Sequence, residues 1–118
     1  MALSYAPGDD LVFQMESGFG LLRVLAAEGG GREAVWHLLV YHDFYADVES
    51  AEAALAGGGP LAVREPHIAL TEHAFEKTPA ARLTNRPVTE EELEPLRRWR
   101  REGGPLHDRS ILLMLGMR

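Results

Sequence analysis

Between Leu11 and His42 three apolar runs are separated by two short glycine-bearing turns, and the third run constrains the fold most. Ala34-Val35-Trp36-His37-Leu38-Leu39-Val40-Tyr41-His42 is apolar on both of its alternating parities. Successive side chains of a strand point to opposite faces, so such a run belongs at the centre of a sheet covered on both sides. Before it, Leu11, Phe13 and Met15 alternate with more polar neighbours on a period of two, the mark of a half-buried strand. Ser17-Gly18 supplies a turn, and Phe19 to Ala27 returns as a second strand, in which Gly20 predicts a bulge or a sharp bend. Glu28 to Arg32, with three consecutive glycines, is the second turn. The pattern predicts an antiparallel meander of Leu11–Met15, Phe19–Ala27 and Ala34–His42.

From Asp47 the period changes. Ser50 to Ala56 is alanine-rich, with Asp47 or Ser50 as N-cap and Gly57 as a stop, and reads as a short helix. Gly57-Gly58-Gly59-Pro60 breaks the chain, and Leu61 to Arg64 follows as a brief strand. Between Pro66 and Thr78 the spacing predicts an extended Ile68–Leu70, then one helical turn capped by Thr71 and running to Phe75. Thr89-Glu90-Glu91-Glu92 is the clearest local signal. Threonine with glutamate three residues on is a capping box, and the carboxylates sit where the helix dipole favours negative charge. Arg97, Arg98, Arg100 and Arg101 complement the other end before Gly103-Gly104-Pro105 stops the helix. Pro95 removes an intrahelical bond, so a kink or a short opening turn is expected there. Ser110 to Met117 reads as a closing apolar strand inserted into the sheet. The fold class expected is α+β: a curved antiparallel sheet or SH3-like partial barrel with two or three short helices.

The 118 residues fit a single domain, 1–118, since a second core would leave both too small. No apolar run approaches the ~20 residues of a membrane span, and Met1 to Asp10 lacks a basic start and an apolar stretch, so a cytoplasmic protein without a membrane partner is expected. The absence of cysteine removes disulfides, thiol catalysis and cysteine-ligated zinc. Residues 1 to 89 hold six Lys and Arg against twelve Asp and Glu, while residues 90 to 118 hold six of each. An acidic body does not attract nucleic acid and favours a basic partner.

Five histidines invite a metal reading. His37 and His42 lie an odd number of residues apart on one strand and face opposite ways, and His67 and His73 are brought together by neither helix nor strand. No metal and no cofactor are expected. Ser17, in Glu-Ser-Gly-Phe-Gly, lacks the glycine two positions before a nucleophile-elbow serine, and the glycine triplets lack the Lys-Ser/Thr of a phosphate loop. The run Arg97-Arg98-Trp99-Arg100-Arg101 resembles a nucleic-acid patch. Yet Leu93, Leu96 and Trp99 share one helix face, and Glu94 is spaced to pair with Arg97 or Arg98. A different concentration stands out at Trp36, His37, Tyr41, His42, Phe44 and Tyr45. Its end, Tyr41, His42, Asp43, Tyr45, Asp47 and Glu49, combines rings with carboxylates as a binding surface would.

Gly8-Asp9-Asp10-Leu11-Val12-Phe13, followed by Gly18-Phe19-Gly20-Leu21-Leu22-Arg23-Val24-Leu25, resembles the opening hairpin of small SH3-like barrels. In particular it is similar to the start of the bacterial immunity protein 26 family, in which a Gly-Asp pair precedes an apolar strand and a glycine-containing strand ends in Arg-Val. The resemblance spans roughly the first quarter of the chain and departs at Asp10, where an apolar residue is usual. It implies a non-enzymatic bacterial protein that binds a protein partner, with no functional residues to carry over. The expected function is therefore partner binding, immunity-like in kind, at Tyr41, His42, Asp43, Tyr45, Asp47 and Glu49, with homodimerisation open. The alternatives are a small hydrolase or metal-dependent enzyme using His42, Asp43 and His107, and a nucleic-acid-associated factor using Arg97 to Arg101.

Overall fold

The computed structural model describes residues 4–116. Strands β1 (Asp9–Met15), β2 (Gly18–Glu28) and β3 (Val35–Tyr45) form the meander read from the sequence. Two more strands extend it. β4 (Val63–Thr71) pairs with β3, and β5 (Ala80–Asn85) returns beside β1, giving one antiparallel sheet in the order β4-β3-β2-β1-β5. The fold is α+β, with a five-stranded curved sheet and several short helices.

The two parities of the sheet build two cores. Leu11, Phe13, Leu22, Val24, Trp36, Leu38 and Val40 form one face. It is closed by Ala74 and Phe75 from helix α2 (Glu72–Glu76) and Ile111 from α4 (Ile111–Met114). Val12, Leu21, Leu25, Leu39 and Tyr41 form the other, closed by Ala51 of α1 (Val48–Ala56) and Leu96 of α3 (Glu90–Glu102). β3 contributes to both, which is why its residues are apolar on both parities. Gly20 does mark an irregularity: the β2–β3 register shifts between Gly20 and Leu22. Its missing side chain also admits the Phe13 ring, whose Cζ would lie 2.4 Å from an added Cβ.

The helix signals on α1, α2 and α3 each produce the cap expected. Asp47 accepts from Ser50 N, Thr71 from Ala74 N, and Thr89 and Glu92 exchange the two bonds of a capping box. Gly103 closes α3 with a left-handed φ of 63°. α3 runs across Pro95 as one element.

Three expectations need correction. Ser110 to Met117 is not a strand. Ser110 caps the single turn α4, which buries Ile111 and Leu115 about 6 Å apart along the axis, where a strand would spread them over about 13 Å (Met117 lies outside the described residues). Leu61 to Arg64 and Ile68 to Leu70 are not separate pieces, because β4 runs unbroken through Pro66. β4 is the last strand of the sheet, so proline there removes no ladder bond on its outer side. β5 was not foreseen at all. Ala-Ala-Arg-Leu-Thr-Asn has no strong period of its own and becomes a strand by pairing with the open edge of β1. Among the described residues no helix is long and apolar enough to cross a membrane.

Candidate functional site

On β2, Arg23 shares its parity with Leu21 and Leu25, so its guanidinium is driven into the second core, where its side chain is 2% exposed. A buried cation is tolerated only when fully paired and hydrogen-bonded. The chain supplies that pairing from three segments. Asp10, directly across the ladder, accepts from Nη1 at 3.3 Å, and the Gly8 carbonyl accepts from the same nitrogen at 2.9 Å. Glu92, in the first turn of α3, accepts from Nε at 2.7 Å and from Nη2 at 3.2 Å. The carbonyls of Arg86 and Pro87 accept the rest of Nη2 at 3.0 Å each. Burial pulls the Glu92 carboxyl upward, but hydrogen bonds from Arg23 and the Thr89 backbone outweigh it and hold Glu92 below the usual carboxylate range. Every nitrogen of Arg23 is spent on the fold, so it offers nothing to a ligand.

Arg86 is different. Asp10, fully buried, grips it side-on, accepting from Nε at 2.7 Å and from Nη2 at 3.0 Å, and Nη2 reaches the Tyr41 hydroxyl at 3.3 Å. Nη1 has no acceptor among the described residues, and the side chain is 48% exposed. Burial first, then the Asp10 charge, raise the Tyr41 phenol, so it stays a neutral hydroxyl with a proton to give. That proton too has no acceptor among the described residues.

Both groups line a groove of ≈ 510 Å³ between β3, the segment leading into β4, and the N-terminal turns of α3. Its walls are apolar: Leu39, Leu55, Leu61, Val63, Pro66 and Pro95. Its polar end holds Tyr41, Arg86, Thr89, Glu91 and Glu92. Glu91 is exposed and has no partner among the described residues. A cleft of this size, mainly apolar with a few convergent polar groups, falls in the ~300–1,000 Å³ range of ligand sites. Chemically it can bind. The hydroxyl it sets beside a carboxylate, Thr89 Oγ1 donating to Glu92 Oε1 at 3.3 Å, is part of the α3 capping box.

Of the binding-site residues expected from the sequence, only Tyr41 lines this groove. Tyr41 is buried, and Tyr45 is half-buried in the same second core. Asp47 is spent on capping α1, and His42, Asp43 and Glu49 are exposed around the end of β3 and the first turn of α1. The set thus meets the groove through Tyr41 alone and does not converge in it. His42, Asp43 and His107 do not meet. His107 bridges to Leu70, which faces Trp36 across the ladder. His42 lies six residues further along β3, about 20 Å at strand rise.

A histidine pairing absent from the sequence reading appears instead. His37, wholly buried, places Nδ1 2.8 Å from Nε2 of His67, with the rings stacked at 5.1 Å and Trp99 packed on both. Glu28 Oε1 stands 2.9 Å from His37 Nε2, but in a direction that makes no hydrogen bond. Burial lowers both imidazoles, His67 to about 4 with help from the neighbouring His37 and Arg100. Both are neutral at pH 7, one donating and the other accepting. Among the described residues no three metal-ligating side chains gather.

The α3 arginines are largely consumed. Arg97 pairs with Glu90 and Glu94, Arg101 with Glu94 and Arg100 with Glu28. Glu94 thus reaches Arg97 as its spacing predicts, and its second partner is Arg101, not Arg98. Arg86, Leu61 and Glu91 were missed from sequence. One signal could have found the network: an arginine on a core parity between two leucines demands carboxylates, and Asp10 stands where the ladder would put one. No family model matches this chain, and no curated protein and no solved structure matches it either.

Proposed function

We propose that this chain is a non-enzymatic binding protein of a bacterial cytoplasm whose groove receives part of a protein partner. One observation carries the reading. A guanidinium held rigid by a buried carboxylate keeps Nη1 unspent at the end of an apolar groove, beside a hydroxyl with an unspent proton. Anchoring of that kind lowers the ordering cost of binding, which is what a recognition site needs. The strand order, with β5 returning beside β1, supports an SH3-like partial barrel. Gly8 and Arg23, which lie in the segment that resembles the immunity protein 26 family, are joined by the Gly8 carbonyl accepting from Arg23 Nη1 at 2.9 Å, which supports that resemblance. The dispersal of His42 and His107 speaks against the enzyme alternative, and the pairing of Arg97, Arg100 and Arg101 with glutamates against the nucleic-acid one.

The test is comparative capture from native lysate with wild type, Val63→Arg and the double variant Arg98→Glu, Arg101→Glu. Val63 is 46% exposed on the groove rim, so its replacement blocks the groove and spares the core. A protein recovered by wild type and by the arginine variant, but lost with Val63→Arg, is the expected result. Retention by Val63→Arg and loss with the arginine pair would move the site to α3.

A further inference from the structure

We infer that the groove takes an extended peptide segment carrying an apolar side chain beside a basic one, an inference that rests on the binding reading just proposed. The polar end of the groove offers donors. Arg86 Nη1 and the Tyr41 hydroxyl proton both lack acceptors among the described residues. Tyr41 is 7% exposed and lines the groove, so a ligand oxygen there is the natural complement of its hydroxyl proton.

Charge decides which oxygen. Asp10 already neutralises Arg86, and Glu92 already neutralises Arg23. Glu91 adds a carboxylate with no cation beside it on the same rim. A ligand carboxylate would enter a site whose three acidic groups outnumber its two guanidiniums. A neutral main-chain carbonyl meets the donors without that repulsion, and Glu91 is left to receive a lysine or arginine. The acidic balance of residues 1 to 89 acts at longer range in the same sense.

The shape of the site favours an extended chain. One wall is β4, the outermost strand, whose outer side is paired only with His107, at Ala69 and Thr71, among the described residues. Its beginning at Val63, beside the groove, is free to align a passing backbone. Edge strands accept extended peptides by main-chain hydrogen bonds, with pockets for alternate side chains supplying specificity. Leu39, Leu55, Leu61 and Pro95 provide such an apolar pocket.

The experiment is selection of a displayed random-peptide library on wild type, Val63→Arg, Tyr41→Phe and Glu91→Lys, each first shown to be folded by circular dichroism. Peptides enriched on wild type and not on Val63→Arg should share an apolar residue adjacent to Lys or Arg. Their synthetic versions should bind Tyr41→Phe about 2- to 12-fold more weakly, the worth of one hydrogen bond. Glu91→Lys should weaken them by at least about 3-fold, the upper half of what an exposed pair provides, because repulsion replaces attraction. Selection repeated on Glu91→Lys should turn the basic position acidic. Groove-dependent peptides that are acidic, or indifferent to Glu91→Lys, would overturn the ligand chemistry and leave the binding reading intact. Peptides enriched equally on Val63→Arg would overturn both. No enrichment on wild type would overturn the peptide inference, with lysate capture still deciding the reading beneath it.

Discussion

Replacing His67 with glutamine should flatten the acid-side loss of stability. In the folded chain His67 sits between His37, Trp99 and Arg100, and its pKa falls from the usual 6.5 to about 4 through burial, the neighbouring His37 and the Arg100 charge. In the unfolded chain it titrates at the ordinary value. Between those two values the unfolded state binds a proton that the folded state refuses, so stability rises with pH there and is lost as pH falls through the window. Above the unfolded pKa nothing is lost, and below about 4 the loss levels off because both states are protonated. Going from pH 7.5 to 4.5, that linkage amounts to about 2.5 kcal/mol, or about 2 kcal/mol once the part of the ring that water reaches is allowed for.

Other groups titrate across the same range. Glu28, lowered by its bond from Arg100, also costs stability on acidification, and His37 adds to the slope in the same direction as His67. The comparison must therefore be between proteins. Glutamine keeps a polar partner for His37 Nδ1 and removes only the titration. Urea unfolding followed by tryptophan fluorescence at pH 7.5 and 4.5 should show His67→Gln losing about 2 kcal/mol less than wild type. The His67 ring protons, followed by NMR, should titrate with a midpoint near 4. Equal losses in the two proteins, or a midpoint near 6.5, would refute the buried neutral pair.

Gly20→Ala should destabilise by about 1–3 kcal/mol, because the new Cβ meets the Phe13 ring, and Phe13→Leu in the same chain should return part of that loss in a double-mutant cycle. Thr89→Ala should cost about 1 kcal/mol in urea melts, and a change within about 0.2 kcal/mol would mean the capping box contributes nothing. Amides from Val35 to Val40 should exchange slowly, as should those in the middle of β1 and β2, since all three meander strands are paired on both sides and contribute to both cores; fast exchange throughout Val35 to Val40 would sink the architecture.

What was legible from the sequence was whatever a single segment specifies by itself. The meander follows from parity and glycine turns, and α3 from a capping box and an αL glycine, each set within a few residues. What was illegible depends on two segments at once. β5 exists because β1 has an open edge, and α4 forms where Ile111 and Leu115 pack onto a core face that β1, β2 and β3 build. The candidate site is illegible for the same reason. Arg86 stands between Asn85 and Pro87 with no periodic context, and it acquires a role only when Asp10, 76 positions earlier, is folded against it. Asp10 in turn is a buried carboxylate at the start of an otherwise apolar strand. An apolar residue there would leave Arg23 short of one carboxylate and Arg86 without either hydrogen bond that fixes it. Removing one partner of a buried ion pair typically costs about 3–5 kcal/mol, so a carboxylate at this position binds stability and site together. Asp10→Leu should therefore do two things at once: lower stability by that order, and release Arg86 from the groove. If peptides selected on the groove still bind Asp10→Leu at pre-mutation affinity while the protein remains folded, the guanidinium is not part of the recognition surface.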